Sequence, residues 1–123
     1  MAWEVKPDRP IYSQLIELIK LRICSGEYPL GSKLPSVRDL AKEASVNPNT
    51  MQRALAGLEE EGLLITQRTA GRFVTEDVSM IKKVKNELAV DHVKNFLEKM
   101  IDLGFNYEEI KTLLADMTKE MIK

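Results

Sequence analysis

The chain has 123 residues, 44% hydrophobic and 30% charged, which suits one small domain with a short appendage. Its 18 lysines and arginines almost balance 19 acidic residues, so net charge alone favours neither nucleic acid nor a membrane surface. With one cysteine, Cys24, and one histidine, His92, the sequence excludes a disulfide framework and offers no catalytic constellation. We therefore expect no enzyme activity and no cofactor. Lacking a membrane-spanning run and a signal-peptide pattern, it is expected to be cytoplasmic.

The first predicted helix runs from Pro10 to Ser25, because apolar residues repeat at helical spacing from Ile11 to Ile23. Gly26 follows and is well placed to end this helix in a left-handed conformation. The helix is amphipathic and supplies one side of a core.

Two further helices follow, each with a start signal. Ser36 can cap a short helix from Val37 to about Ala44, with Asp39 completing a capping box. Asn47 can cap a third helix, which starts at Pro48 and runs to Gly62. Two capped helices joined by so short a turn predict a helix-turn-helix.

After Gly62 the hydrophobic period changes from that of a helix to that of a strand. Leu63–Thr66 and Arg72–Thr75 are short strand-like runs, and Arg68–Gly71 between them is typical of a hairpin turn. A hairpin in this place is a wing. The predicted fold is mainly α with a small β-hairpin wing, a winged helix-turn-helix domain over residues 1–75.

Residues 76–123 are predicted to form two more amphipathic helices. The first ends at Leu103-Gly104, and Asn106 caps the second, which has Glu108 and Glu109 in its first turn. The apolar stripe of the second helix consists of Ile110, Leu113, Leu114, Met117 and Met121. Since the first domain has its own core, we predict that these helices pair with a second chain, giving a two-helix dimerisation region and a homodimer.

The charges are distributed unevenly. All the arginines precede residue 73: Arg9, Arg22, Arg38, Arg53, Arg68 and Arg72. From 44 to 58 the only charge is Arg53, and from 62 to 75 only Arg68 and Arg72 are charged, so acid-free surfaces are expected there. Polar residues on the first turns of the third helix could contact phosphates and base edges of double-stranded DNA, or could form an ordinary exposed helix face. These residues are Asn47, Asn49, Thr50, Gln52 and Arg53.

Several ordered motifs resemble the winged helix-turn-helix domain of GntR-type bacterial transcription regulators over about Pro10 to Val74. They are PIYSQL at 10–15, GSKLPSVRDLA at 31–41, VNPNTMQRA at 46–54 and LEEEGL at 58–63. The short tail resembles the small YtrA-like branch, which implies a homodimeric repressor, often associated with transporter operons.

The resemblance implies a role for each matched position. Ser36 and Arg38 would hold the phosphate backbone of a pseudo-palindromic operator. Gly71 would let the wing tip approach the minor groove, with Arg68 and Arg72 beside it. The recognition helix would use Asn47, Asn49, Thr50 and Arg53. Thr69 stands where the family usually has a first wing glycine, which leaves the minor-groove contact open.

Other interpretations remain open. The winged helix could be a protein-interaction module without DNA affinity. Cys24 could be a redox sensor, although a small buried residue is the simpler interpretation. A small-molecule effector, if the protein has one, is expected to bind at the dimer interface. The segment 26–33 resembles a nucleotide-binding loop, but its Ser and Lys are transposed and a helix precedes it, so we reject that function.

Overall fold

The computed structural model describes residues 2–122 and divides the chain into two compact units, residues 1–85 and 86–123. Three helices and a two-stranded hairpin come first, followed by two long helices. The elements are α1 Ile11–Cys24, α2 Val37–Ala44, α3 Pro48–Glu60, β1 Leu64–Gln67, β2 Gly71–Val74, α4 Val78–Asp102 and α5 Tyr107–Ile122. The first turns of α4 belong to the first unit. The prediction of a mainly helical protein with a hairpin wing is confirmed.

Helix α3 is the centre of the first unit, since α1, α2 and β1 all pack against it. Its inward positions Met51, Leu55 and Leu58 are at most 1% exposed. Leu15 and Ile19 of α1 are completely buried, one helical turn apart. The predicted apolar stripes thus form one core, which fixes the orientation of α3.

The predicted N-caps Ser36 and Asn47 are present, but within residues 2–122 the Asp39 carboxylate accepts no bond from the Ser36 N–H, so the predicted capping box is only half formed. The hydroxyl of Ser36 accepts a hydrogen bond from the Asp39 N–H at 3.1 Å, and the Asn47 side chain accepts one from the Asn49 N–H at 2.8 Å. Between α2 and α3 the chain turns at Ser45, whose φ of 56° is left-handed without glycine. This residue makes the tight turn of the helix-turn-helix.

Some element bounds differ from the predictions. Helix α3 ends at Glu60, two residues before the predicted Gly62. Helix α4 begins at Val78 because the Asp77 carboxylate accepts a hydrogen bond from the Met80 N–H at 3.2 Å. This cap sets the first helical residue at Val78, two residues after Glu76, where the sequence predicted the helical region to begin.

The hairpin is antiparallel, with Leu64 opposite Val74 and Gln67 opposite Gly71. The segment 31–34 lies along the other edge of β2, which the sequence did not predict. The Leu34 N–H donates a hydrogen bond to the Arg72 carbonyl at 2.9 Å, and the Val74 N–H donates one to the Ser32 carbonyl at 2.9 Å. Both edges of β2 are therefore paired near its base, which braces the wing.

The N-terminal arm is held by Gln14, a residue only 3% exposed. Its amide oxygen accepts from the Lys6 N–H at 2.7 Å, and its amide nitrogen donates to the Lys6 carbonyl at 2.6 Å. Farther along the arm, the Trp3 ring lies 4.0 Å from the guanidinium of Arg22, which is buried and paired with Glu27 at 2.7 Å. These contacts order the arm against α1.

In the second unit, α4 and α5 are joined by a turn at Gly104 and a reciprocal capping box. The Asn106 side chain accepts from the Glu109 N–H at 2.8 Å, and the Glu109 carboxylate accepts from the Asn106 N–H at 3.0 Å. Met100 of α4 and Ile110 of α5 are buried. Among residues 2–122, no helix is long and apolar enough to cross a membrane.

Candidate nucleic-acid interface

The N-cap and first turns of α3 carry half of the predicted contact residues. Asn47, Asn49, Gln52 and Arg53 are exposed, and Thr50 is half-buried. Because Met51, Ala54 and Leu55 point into the core, the polar positions between them face outward. The structure thus places these five predicted residues on or beside one outward face, with donors and acceptors suited to base edges and phosphates.

The start of α2 carries the second group of predicted residues. Ser36 and Arg38 are exposed, and the Ser36 hydroxyl caps the helix through the Asp39 N–H. Within residues 2–122, Arg38 has no carboxylate partner. A helix N-terminus with an unpaired arginine is electrostatically suited to an anion.

Arg53 is held by a residue that sequence reasoning did not assign to the site. Its guanidinium carbon lies 3.7 Å from the centroid of the Tyr12 ring in α1. Stacking on the ring leaves the N–H groups at the guanidinium edge available as donors. The helical spacing of Tyr12 indicates only that this residue lies near the core. The sequence gives no sign that its ring contacts Arg53.

The wing arginines differ from each other. Arg68 is exposed on the hairpin turn, whereas Arg72 is half-buried and donates a hydrogen bond to the Glu59 carboxylate of α3. The expectation of an acid-free surface around Arg72 is therefore wrong. Glu59 follows the charge-free stretch in sequence, but antiparallel pairing brings Arg72 opposite Thr66, beside the end of α3.

The ionisation of Glu59 is coupled to this contact. Burial alone would raise the pKa of Glu59, but hydrogen bonds from Arg72 and Thr66 and the charge of Arg72 outweigh it, so the pKa is lowered. A lowered pKa in the folded protein means that the charged pair stabilises the fold above the unfolded-state pKa, near 4.3. That stability is lost as the pH falls through the folded-state pKa.

Glu59→Gln is expected to lower the free energy of unfolding at neutral pH by about 1 kcal/mol or less, because the pair is partly exposed. The difference from the wild type should shrink as the pH falls through the lowered folded-state pKa of Glu59, because the carboxylate is then protonated in both states. Urea unfolding of the two proteins across this pH range measures it. Glu60→Gln, at the exposed neighbouring position, is the matched control. A difference that persisted at low pH would contradict the charged pair.

Gly71 has a structural reason for being glycine. Its φ is +110°, and a Cβ there would lie 3.0 Å from Cε of Lys33. Any other residue would be strained and crowded by Lys33. Gly71 is also exposed, so the geometry is compatible with its predicted approach to DNA.

Cys24 is half-buried at the end of α1. Burial raises the pKa of its thiol, although the charges of Lys85 and Lys20 act to lower it. A raised pKa disfavours the reactive thiolate, which argues against the redox-sensor alternative.

The second unit exposes a broad apolar face. Only Ile110 of α5 is buried, while Leu113, Leu114, Met117 and Met121 are 39%, 46%, 46% and 81% exposed. Leu114 and Ile122 lie along one shallow groove of α5 with Ala115, Thr118 and Lys119. Most of the predicted stripe is thus uncovered in the single chain.

A trihelical core, an exposed helix with polar first turns and a hairpin wing define a winged helix-turn-helix protein. The sequence model described as "Bacterial regulatory proteins, gntR family" matches residues 11–74, about half of the chain. The chain belongs to the GntR family. It is a DNA-binding transcription regulator, not an enzyme.

Relatives match beyond this domain. The chain is 36% identical over 118 residues to the HTH-type transcriptional repressor YtrA of Bacillus subtilis, covering 88% of this chain and 87% of YtrA. A GntR family transcriptional regulator from Listeria monocytogenes has a similar structure, with a TM-score of 0.82, 40% identity and coverage of 90% of this chain and 97% of that one. The resemblance to YtrA-like regulators is confirmed.

A solved DNA complex is also similar in structure. It contains the DNA-binding domain of AraR with operator ORX1, at a TM-score of 0.53 and 27% identity. The match covers 61% of this chain and 99% of that one.

Proposed function

We propose that this protein is a homodimeric repressor that binds a pseudo-palindromic operator through α3, the start of α2 and the wing. The observation that carries the proposal is the exposed polar face of α3 in a GntR-family winged helix. Asn49, Gln52 and Arg53 can reach base edges from that face, because the buried side of the same turns fixes its orientation.

The phosphate contacts come from the groups around this face. Ser36 and Arg38 lie at the N-terminus of α2, and Asn47 and Thr50 lie at that of α3. Helix N-termini attract anions, and such contacts set the register of the protein on DNA without reading sequence. Arg68 and Gly71 contribute from the wing tip, whereas Arg72 acts through Glu59 as a brace of the wing.

The partner that covers the apolar face of α5 is a second copy of the chain. In a single chain, the exposed apolar side chains of Leu114 and Met117 carry an unfavourable hydration free energy. Neighbouring Lys and Glu residues rim the face. A two-fold axis uses the same patch twice and pairs two recognition helices with the halves of an inverted repeat.

Repression follows if the operator overlaps a promoter, since bound protein then blocks transcription. The name of the relative YtrA, a transcriptional repressor, supports this direction of regulation. We place the protein in the cytoplasm, with its DNA, and any small-molecule effector at the dimer interface. A transporter operon is the target that the YtrA-like resemblance favours.

Selection of bound fragments from the source genome tests the whole proposal. We expect a compact inverted repeat, bound by one dimer, upstream of a small operon. Salt-sensitive binding without sequence preference would contradict the operator. No binding even at low salt would instead favour the protein-interaction module.

Arg38→Ala is expected to weaken binding to all DNA sequences alike, because Arg38 contacts phosphate. The slope of log affinity against log salt should fall by about 0.9 for each Arg38 that contacts phosphate, about 1.8 for the dimer. Titrations of a selected and an unrelated duplex at several salt concentrations measure it. Arg9→Ala removes an exposed arginine that is bonded to Glu17 at 3.3 Å and should leave the slope unchanged. An unchanged slope in Arg38→Ala would overturn the proposed docking.

A further inference from the structure

The wing has an inner and an outer face, because side chains of directly paired residues lie on the same face of a sheet. The inner face holds the buried pair Leu64 and Val74 and the pair Thr66 and Arg72, which bonds Glu59. The outer face holds Ile65 with Phe73, and Gln67 with Gly71. Ile65 is 50% exposed, so the outer face is open to solvent.

Lys33 joins the outer face from outside the hairpin. It forms an antiparallel bridge with Phe73, since the segment 31–34 runs along the free edge of β2. Its side chain extends toward the hairpin turn. A Cβ added to Gly71 would lie 3.0 Å from Lys33 Cε and 3.8 Å from Lys33 Nζ, which shows how close the end of the lysine is to Gly71. The ammonium therefore lies beside the residue predicted to approach DNA.

The charges around Lys33 leave its ammonium available. Among residues 2–122, no carboxylate lies within ion-pair distance of it. The acidic residue near this face, Glu76, has its carboxylate beside Gly31. A Cβ added to Gly31 would lie 2.8 Å from Glu76 Oε1. Since Arg72 is engaged by Glu59, Arg68 and Lys33 are the cations that the wing can offer to a ligand.

We infer that Lys33 binds a backbone phosphodiester of double-stranded DNA beside the wing tip. The inference rests on the proposed DNA-binding function and adds a residue from outside the recognition helix and the hairpin. An ammonium is a compact charge that pairs with phosphate without reading bases. Lys33 therefore strengthens binding to every sequence, and the bridge to Phe73 holds it at the wing.

The test compares Lys33→Gln with the wild type on a duplex selected by the protein from a random-sequence library and on an unrelated duplex. Because each dimer carries two copies of Lys33, the salt slope should fall by about 0.9 for each copy, about 1.8 in all, on both duplexes. If the two affinities converge near about 1 M salt, this slope gives about a 30-fold loss at about 0.15 M. Lys33→Arg should restore the slope. Lys111→Gln removes an exposed lysine of α5 and should not change it.

Position on the DNA is tested with selected duplexes that carry a single neutral methylphosphonate. One substitution flanking the wing should weaken the wild type about fivefold and leave Lys33→Gln unaffected, since that contact is already lost. Arg38→Ala is measured in parallel. A lower slope in Arg38→Ala with an unchanged slope in Lys33→Gln would overturn this inference alone. Unchanged slopes in both would overturn it together with the proposed docking.

Discussion

Leu114→Glu is expected to convert the dimer into a monomer and to lower operator affinity by about 100-fold or more. Leu114 is 46% exposed on α5, so a carboxylate there is hydrated in the single chain. In the dimer, the two-fold axis would bury two such carboxylates without partners, which costs several kcal/mol. Because linked half-sites reinforce each other, loss of the dimer removes an avidity of about 10²–10⁴.

Sedimentation and operator titration measure the two effects, and circular dichroism shows that the helices remain. Lys111→Glu is the matched control, because it adds more negative charge to an exposed polar position of the same helix. It should remain dimeric. A dimeric Leu114→Glu protein, or a monomer that binds the operator with wild-type affinity, would contradict the proposed assembly.

Arg53→Ala is expected to cost about 1–3 kcal/mol of operator binding and to reduce the preference for the selected sequence. Unrelated duplexes should lose less, because they lack the matching base edge. Arg53→Lys should not restore the preference, since an ammonium neither stacks like a guanidinium nor bonds a guanine in two places. Competition titrations with single-base variants of the operator give the preference at each position.

The ring of Tyr12 provides a second measure of the same contact. Tyr12→Phe keeps the aromatic face and should bind like the wild type, whereas Tyr12→Leu should lose about 0.5–1 kcal/mol. In a double-mutant cycle the loss from Tyr12→Leu should disappear when Arg53 is already alanine. An undiminished loss in the double mutant would show that Tyr12 acts independently of Arg53.

The local signals of the sequence were sufficient for the elements. Ser36, Asn47 and Asn106 cap helices where predicted, because their short polar side chains satisfy N–H groups within three residues. Gly26 has a φ of +86°, as expected for a residue that ends a helix. Interactions over so few residues are visible in any window of sequence, and the core stripe followed from the same helical period.

The partners of the arginines depended on contacts between distant residues. Glu59 meets Arg72 only because the hairpin folds back on α3, and Tyr12 meets Arg53 only because α1 packs against it. Spacing along the chain contains no signal for such pairs, so charge counting predicted an acid-free wing. Tertiary packing assigned Arg72 to the brace and left Arg38 and Arg68 without acidic partners among residues 2–122.

By itself, the sequence determined the helix-turn-helix, the wing, the GntR resemblance and the exposed polar turns of α3, since caps, glycines and apolar periods act locally. Only the tertiary structure decided which cations are available and where Lys33 lies. Its bridge to Phe73 joins segments separated by the whole of α2, α3 and β1, and backbone hydrogen bonding there does not depend on side-chain identity.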